Sequence, residues 1–430
     1  MRENRPARAA PAASPGRRKN VPDRVASASS DGGILRCARH PRRVPECAGR
    51  SAGTRHQGTG GPERLSAAER RIRLGYVGAG RQAQQVHLPN FASIEGCDLA
   101  GLAEVRPSLG REVADRFRIP ELYPDHRALA ADRRIDAIAV SAPFELQGEI
   151  ARDCLERGKH VFMEKPMAIS LAQADRILDA SRRGGGRLMI AYMKRYDAGN
   201  ILVRDVVRQW RRSGEAGALR YVRAHGFRGD FQVGVDAIVS RSAEAPPLAP
   251  NTNFPEWLTR DRTAYVDYLQ QYTHNINLVR YFLDAAGDAQ IEHVDLDDDG
   301  SGIVILRVAG VRCVLETGRL AYHRWDEHVQ VYFDGGWILT WAPPLLVRNT
   351  TAEVEIYRGG AGVLDSTRFP GVQHFVSRPI PEPRGSWAYR REAEHFIERL
   401  LSGEPFDSEG ADTRTDVRLF EEIYRRRLGV

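Results

Sequence analysis

Between residues 72 and 191, short apolar blocks alternate with amphipathic stretches of helical period. Ile72-Arg73-Leu74-Gly75-Tyr76-Val77 reads as a strand, and after a glycine-rich turn a helix runs to about Ile94. Asp98 to Ala103 predicts a second strand and Pro107 to Phe117 a helix. Ile135 to Val140 predicts a third strand, ending at Ser141-Ala142-Pro143. A helix from about Glu145 to Arg157 follows, with Gly158 as its stop. Lys159 to Met163 predicts the next strand, and Ser170 to Arg183 a helix with Ser170 as N-cap. Arg187 to Ala191 predicts another strand. Strands alternating with helices argue a doubly wound parallel sheet.

The pattern changes after about Arg195. A helix is predicted from roughly Ile201 to Arg212, and then period-two segments dominate. They are Arg220 to Phe227, Ile291 to Asp295, Gly302 to Val308, Arg312 to Leu320, Glu327 to Phe333, Trp337 to Thr340 and Glu353 to Tyr357. Gly-containing turns such as Asp334-Gly335-Gly336 join several of them, as in antiparallel hairpins. Helices are predicted at Tyr265 to Leu283, Trp387 to Leu401 and Thr413 to Arg427. Between them, residues 228–263 read as a long irregular insertion that shapes a pocket, with Trp257 anchoring it or stacking on a ring. The expected fold class is α/β: an N-terminal doubly wound parallel sheet over residues 71–194, then a C-terminal α+β domain over 195–430 with a large, open, mostly antiparallel sheet. The final helices are free to pack back on the first domain.

Charge separates residues 1–70 from the rest. The chain of 430 residues has a net charge of +7, yet residues 1–71 alone hold 16 Lys+Arg and 6 Asp+Glu, a balance of +10 that leaves the remainder at −3. A basic arm of this kind can contact nucleic acid. No aromatic residue accompanies the basic ones, so a disordered basic extension with no nucleic-acid partner is expected for residues 1–70. No apolar run approaches the ~20 residues of a membrane span, so no membrane partner is expected either. Cys37, Cys47, Cys97, Cys154 and Cys313 are scattered without a CxxC pair. That argues against a zinc site or a disulfide framework and fits a reducing cytoplasm.

Three motifs carry chemistry. Gly78-Ala79-Gly80-Arg81-Gln82-Ala83 follows a strand and opens a helix. There Gly78 permits the turn, Gly80 lets backbone approach a pyrophosphate, and Ala83 allows close helix–strand packing. The helix N-terminus offers N–H groups to phosphates. The context favours dinucleotide binding, in a Rossmann domain, over a merely structural turn. Glu104 ends the second strand, where a carboxylate accepts from ribose hydroxyls and indicates NAD. Arg81 and Arg106 keep NADP open, because either could grip a 2′-phosphate; a solvated strand end is the plain alternative for Glu104. Ser141 and Pro143 lie on the same rim.

The second motif is Val161-Phe162-Met163-Glu164-Lys165-Pro166. An apolar run ends in a carboxylate, an amine and a proline where open parallel sheets bind ligands. An ammonium at Lys165 would stabilise a developing alkoxide or donate a proton to a carbonyl. Pro166 restrains Lys165 to extended backbone. Glu164 would orient the lysine or touch the nicotinamide ribose. Without the glycine turn upstream, this would read as a surface charge pair. The third motif spans Gln270 to Leu278, where Gln270, His274, Asn277 and Leu278 share one helical face and Tyr281 continues the stripe. His274 has an intrinsic pKa suited to a base near neutral pH. Alone it would read as a buried, satisfied histidine; coupled to Lys165 it becomes a general-base candidate.

These residues resemble the glucose–fructose oxidoreductase, inositol dehydrogenase and rhizopine-catabolism family, the Gfo/Idh/MocA oxidoreductases. The resemblance covers roughly residues 72–428. It rests on the glycine turn, Ala142-Pro143, Gly158-Lys159-His160-Val161, Glu164-Lys165-Pro166 and the His274 helix ending at Tyr281-Phe282-Leu283. It implies hydride transfer between NAD(P) and a secondary hydroxyl of a sugar or cyclitol, with Lys165 and His274 catalytic and no metal required. The family's aspartate in Asp-x-x-x-His falls on Gln270, which can hold a hydroxyl but cannot act as a base. Gln147 stands where many members carry histidine. Arg195, in Lys194-Arg195-Tyr196, matches a basic segment that could meet substrate or cofactor. The expected cofactor is NAD, with NADP open, and the expected assembly is a homodimer or homotetramer. Two other readings stay open: an enzyme that uses NAD transiently for elimination or glycosidic cleavage, and a catalytically silent NAD(P)-binding regulator.

Overall fold

The structure, a computed structural model, describes residues 70–229, 239–245, 253–319, 325–360, 373–380 and 387–430. The basic extension expected for residues 1–70 lies, except for Arg70, outside the described residues.

The first sheet is built from β1 (Ile72–Val77), β2 (Cys97–Ala103), β3 (Glu121–Tyr123), β4 (Ala137–Val140), β5 (His160–Glu164) and β6 (Leu188–Ala191). Its order is β3-β2-β1-β4-β5-β6, and every pair is parallel. The helix after β1 begins as a π-type segment, Ala83–His87, and becomes α1 (Leu88–Phe91). The other connections carry α2 (Pro107–Phe117), α3 (His126–Ala131), α4 (Phe144–Glu156) and α5 (Leu171–Gly184). Sequence reading missed β3 and α3, which at three and six residues are too short for a period to register. Ser170 does cap α5: its hydroxyl accepts from Gln173 N at 3.2 Å.

A 3₁₀ turn at Met193–Tyr196 leads into the second half. There α6 (Ala198–Ser213), β7 (Leu219–Arg228) and α7 (Arg262–Phe282) are followed by β8 (Ala289–Leu296), β9 (Gly302–Val308), β10 (Val311–Arg319), β11 (Asp326–Phe333), β12 (Gly336–Trp341), β13 (Glu353–Gly360) and β14 (Gln373–Ser377). Two helices complete the described chain, α8 (Ala388–Ser402) and α9 (Gly410–Leu428). The sheet order is β14-β13-β12-β11-β7-β10-β9-β8. It is antiparallel except between β7 and β10, which run parallel because the β8–β9–β10 meander returns beside β7 after the α7 crossover.

One face of this sheet buries Val222, Ala224, Leu315, Val329 and Val331 against α6, α7 and α9. Period two in the strands and 3.6 in the helices place those residues together. The first sheet's core includes Leu74, Phe91 and Phe162, and α8 adds Ala393, Phe396 and Ile397 to it. The C-terminal region therefore closes one side of the Rossmann sheet.

Candidate active site

The order of the first sheet reverses between β1 and β4, and ligands of open α/β sheets bind at such a switch point. Gly78 and Ser141 meet there. Gly78 has φ +98°, and a Cβ on it would lie 2.3 Å from Ser141 O, so no other residue fits. A Cβ at Gly80 would meet no protein atom within 4 Å, which leaves the space in front of its backbone open for a pyrophosphate. Ala83 is fully buried beneath the turn. These features fit a dinucleotide.

Glu104 is not a solvated strand end; it is 5% exposed. Oε2 accepts from Ala79 N at 2.7 Å and from Arg106 Nη2 at 2.9 Å, while Oε1 accepts from Arg106 N and Nε. The carboxylate thereby ties the glycine turn to β2, and Arg106 is its ion partner. Arg81 is exposed at the turn. Residues 239–245 lie against this edge of the first domain: Ser240 N donates to Gln84 Oε1 at 2.8 Å and Ser108 Oγ to Glu244 Oε1 at 2.7 Å. Pro143 is the residue preceding α4.

β5 delivers Glu164 and Lys165. Glu164 accepts from Gln82 Nε2 at 3.0 Å, His87 Nε2 at 2.8 Å and Lys165 N at 3.1 Å. Burial pushes this carboxyl up, but the His87 hydrogen bond and the charges around it prevail and hold it below its ordinary range. Behind it lies Glu392 of α8, fully buried with no hydrogen-bond partner among the described residues. Burial and the Glu164 charge push Glu392 well above the usual carboxylate range, which favours its protonated form. The Lys165–Pro166 peptide is cis. Gln147, 1% exposed, donates from Nε2 to both Glu164 O (2.9 Å) and Pro166 O (2.8 Å), bracketing the lysine. Lys165 Nζ donates to Gln270 O at 3.0 Å and lies 5.8 Å from the Phe144 ring centroid.

α7 brings Gln270 and His274 to the same place. His274 is 5% exposed, and its Nδ1 has no hydrogen-bond partner among the described residues. Burial, then the Lys165 and Lys194 charges, hold it well below its ordinary pKa, so the imidazole is neutral at pH 7. Lys194 is itself buried and ion-paired to Glu327 at the start of β11. Asn277 and Arg195 turn elsewhere. Arg195 donates from Nε to Asn277 Oδ1 (2.7 Å) and from Nη2 to Asp412 Oδ2 (2.6 Å), and Asn277 Nδ2 donates to Asp416 Oδ2 (2.6 Å). These two side chains join α7 to α9 rather than to Lys165. Trp257 packs edge-on to Tyr265, centroids 6.1 Å apart, as a loop anchor.

Sequence reasoning missed His87, Glu327 and Glu392, and noted Gln147 only as a departure. Their partners lie 77, 133 and 17 residues away for His87, Glu327 and Gln147, beyond any local pattern. No ligand cluster is visible in the sequence; strand pairing gathers His225, Asp326 and His328, far apart in the chain, on the opposite face of the second sheet.

Residues 72–192 match the model of the oxidoreductase family with an NAD-binding Rossmann fold. Myo-inositol 2-dehydrogenase of Thermotoga maritima is 25% identical over 355 residues, covering 79% of this chain and 92% of that protein. Among solved structures, an aldose-aldose oxidoreductase from Caulobacter crescentus complexed with glycerol superposes with TM-score 0.60 at 20% identity, covering 84% of this chain and 99% of that one. A 3-ketoreductase from Actinomadura kijaniata in complex with NADP gives TM-score 0.58 at 21% identity, covering 82% and 97%. At these identities the structures share the fold. Together with the glycine turn and the Glu164-Lys165-Pro166 rim, the matches show that residues 72–192 carry the NAD-binding Rossmann domain of the Gfo/Idh/MocA oxidoreductases and that the chain resembles that family over most of its length.

Proposed function

We propose that the protein transfers a hydride between NAD(P) and a secondary hydroxyl or ketone of a sugar, cyclitol or related polyol, with Lys165 and His274 as the acid–base pair. The observation that carries this reading is the convergence on α7: Lys165 Nζ donates to Gln270 O, and its charge adds to burial in keeping His274 neutral. Gly78, Gly80, Arg81, Gln82, Ser141, Pro143 and the Glu104–Arg106 pair would hold the dinucleotide. When bound, the nicotinamide supplies or accepts the hydride. Neutral His274 takes the hydroxyl proton, and the Lys165 ammonium stabilises the negative charge that develops on that oxygen. In reduction the proton returns the same way. Gln270 would hold a neighbouring hydroxyl. The named relatives support a polyol or sugar substrate, and the NADP complex of the 3-ketoreductase keeps both cofactors in the reading. Glu104 at the end of β2 supports NAD as the cofactor, and Arg106, its ion partner, keeps NADP in the reading.

The open sheet face carries a ladder of half-buried aromatics across four strands, Tyr221, Tyr332, Trp337 and Tyr357. That surface supports a homodimer or homotetramer, to be read by light scattering. Buried free thiols at Cys97, Cys154 and Cys313 support a cytoplasmic setting.

The test is a titration of the full chain with NAD and NADP, with nicotinamide fluorescence followed over a polyol and sugar panel. Lys165→Ala is expected to lose about 10²–10⁴-fold in kcat while still binding cofactor. An unchanged kcat would remove Lys165 from the chemistry. Tight cofactor binding without redox change on any substrate would favour transient NAD use or a regulator.

A further inference from the structure

The face of the second sheet turned away from α6 and α7 carries a group that the proposed reaction does not use. β7 and β11 pair antiparallel, with His225 opposite His328 and Phe227 opposite Asp326. Residues directly opposite each other share a face, so His225, His328 and Asp326 project together. The two imidazole rings stack, centroids 4.5 Å apart and planes at 22°. One carboxylate addresses both: Asp326 Oδ2 is 3.7 Å from His225 Nε2, and Asp326 Oδ1 is 3.7 Å from His328 Nδ1. Both separations are too long for a hydrogen bond. The three ligand atoms lie within 4.8 Å of one another.

Two further observations point to a cation between them. His225 Nδ1 donates to Glu316 Oε2 at 2.7 Å, and Arg223 clamps that carboxylate through Nε (2.7 Å) and Nη2 (2.8 Å). A carboxylate on one imidazole nitrogen fixes the tautomer and turns the other nitrogen's lone pair outward, as metal-binding histidines require. His328 Nδ1, in turn, is buried with no hydrogen-bond partner among the described residues. Phe227 stacks on His225 at 4.3 Å and Trp341 flanks His328 at 6.5 Å, so aromatic rings border both imidazoles.

We propose that His225, Asp326 and His328 bind a divalent transition-metal ion, zinc by ligand type, with Glu316 and Arg223 as positioning residues. Two imidazole nitrogens and one carboxylate oxygen suit zinc, with water in the fourth place. Small side-chain rotations bring the three atoms to the ~2.0–2.2 Å bonds that zinc takes from nitrogen and oxygen. The ion staples β7 to β11. Glu327, between two of the ligands in sequence, points to the other face, toward Lys194. The site is thus separated from Lys165 and His274 by the sheet itself.

The experiment uses the full chain, freed of any affinity tag and stripped with chelator. Zinc chloride titration is followed by calorimetry and by the melting temperature, and Co²⁺ is added to read the visible band of tetrahedral coordination. One ion per chain, a Co²⁺ band and a raised melting temperature are expected. His328→Ala and Asp326→Asn should each weaken zinc binding by at least ~10-fold, and Glu316→Gln by about 10–100-fold. His293→Ala, an exposed histidine elsewhere, should change nothing. Asp326→Asn is nearly isosteric and 37% exposed, so it reads the site even if His328→Ala fails to fold. No uptake by the wild type, or equal uptake by Asp326→Asn, would overturn the proposal, the latter identifying an adventitious ion only.

Discussion

Gln147 spans the turn that holds Lys165, and a single residue there governs where the amine points. Gln147→Leu keeps the volume but frees two buried carbonyls. The expected loss is about 1–3 kcal/mol of stability, read by urea unfolding, together with a lower kcat at unchanged cofactor affinity. His274 sets the acid limb. Its folded pKa lies well below 6.5, so kcat/KM for oxidation should stay level as pH falls past 6.5 and drop only in more acid solution. A drop centred near 6.5 would mean that His274 is not the base. The same depression acts on stability: below 6.5 the unfolded chain binds a proton that the folded chain refuses, so stability falls toward acid, and His274→Gln should flatten that slope. Glu392 has the opposite sign. Unfolded, it ionises above 4.5, while in the fold it keeps its proton, so its contribution weakens as pH rises from 4.5. Glu392→Gln, which copies the protonated shape, should unfold at higher urea than wild type at pH 8. At this scale Lys165, His274 and Glu104 were legible from their places in motifs. Arg195 and Asn277 bond to each other and to α9, which the sequence did not show, because helical spacing gives a face but not the neighbour that face meets.

Caps and buried ion pairs decide the elements. α5 starts at the Ser170 hydroxyl, and Ser170→Ala should lose about 1 kcal/mol. α7 and α9 are held together by a buried set in which Arg280 Nη1 donates to Asp416 Oδ1 at 2.7 Å and Asn277 donates to the same carboxylate. Removing one partner of such a pair leaves a buried charge unopposed. Asp416→Ala should therefore destabilise by about 3–5 kcal/mol, measured by denaturant titration, and loosen α7 enough to raise KM for substrate. α2 could be read end to end because Pro107 opens it and its apolar positions recur at helical spacing. β14 could not: its neighbour β13 alone defines it as a strand.

Across the whole molecule, the last helices complete the first domain. Phe396 of α8 meets Phe162 of β5 edge-on, centroids 5.5 Å apart, and stacks near Phe406. A fragment of residues 70–197 would expose that apolar surface, and we expect it to lack a cooperative thermal transition; Phe396→Ala in the full chain should lose about 3–5 kcal/mol. Cooperative melting of the fragment would show that α8 is dispensable. By itself the sequence determined the strand–helix alternation, the glycine turn, the lysine at a strand end and the change to period two after Arg195, because each is a local pattern of sterics and burial. Only the tertiary structure decided the rest: the parallel β7–β10 pair, the protonated Glu392 behind Glu164, Gln147 bracketing Lys165, and His225 opposite His328. Those depend on contacts between segments far apart in the chain, where close packing and desolvation, not spacing, choose the partner.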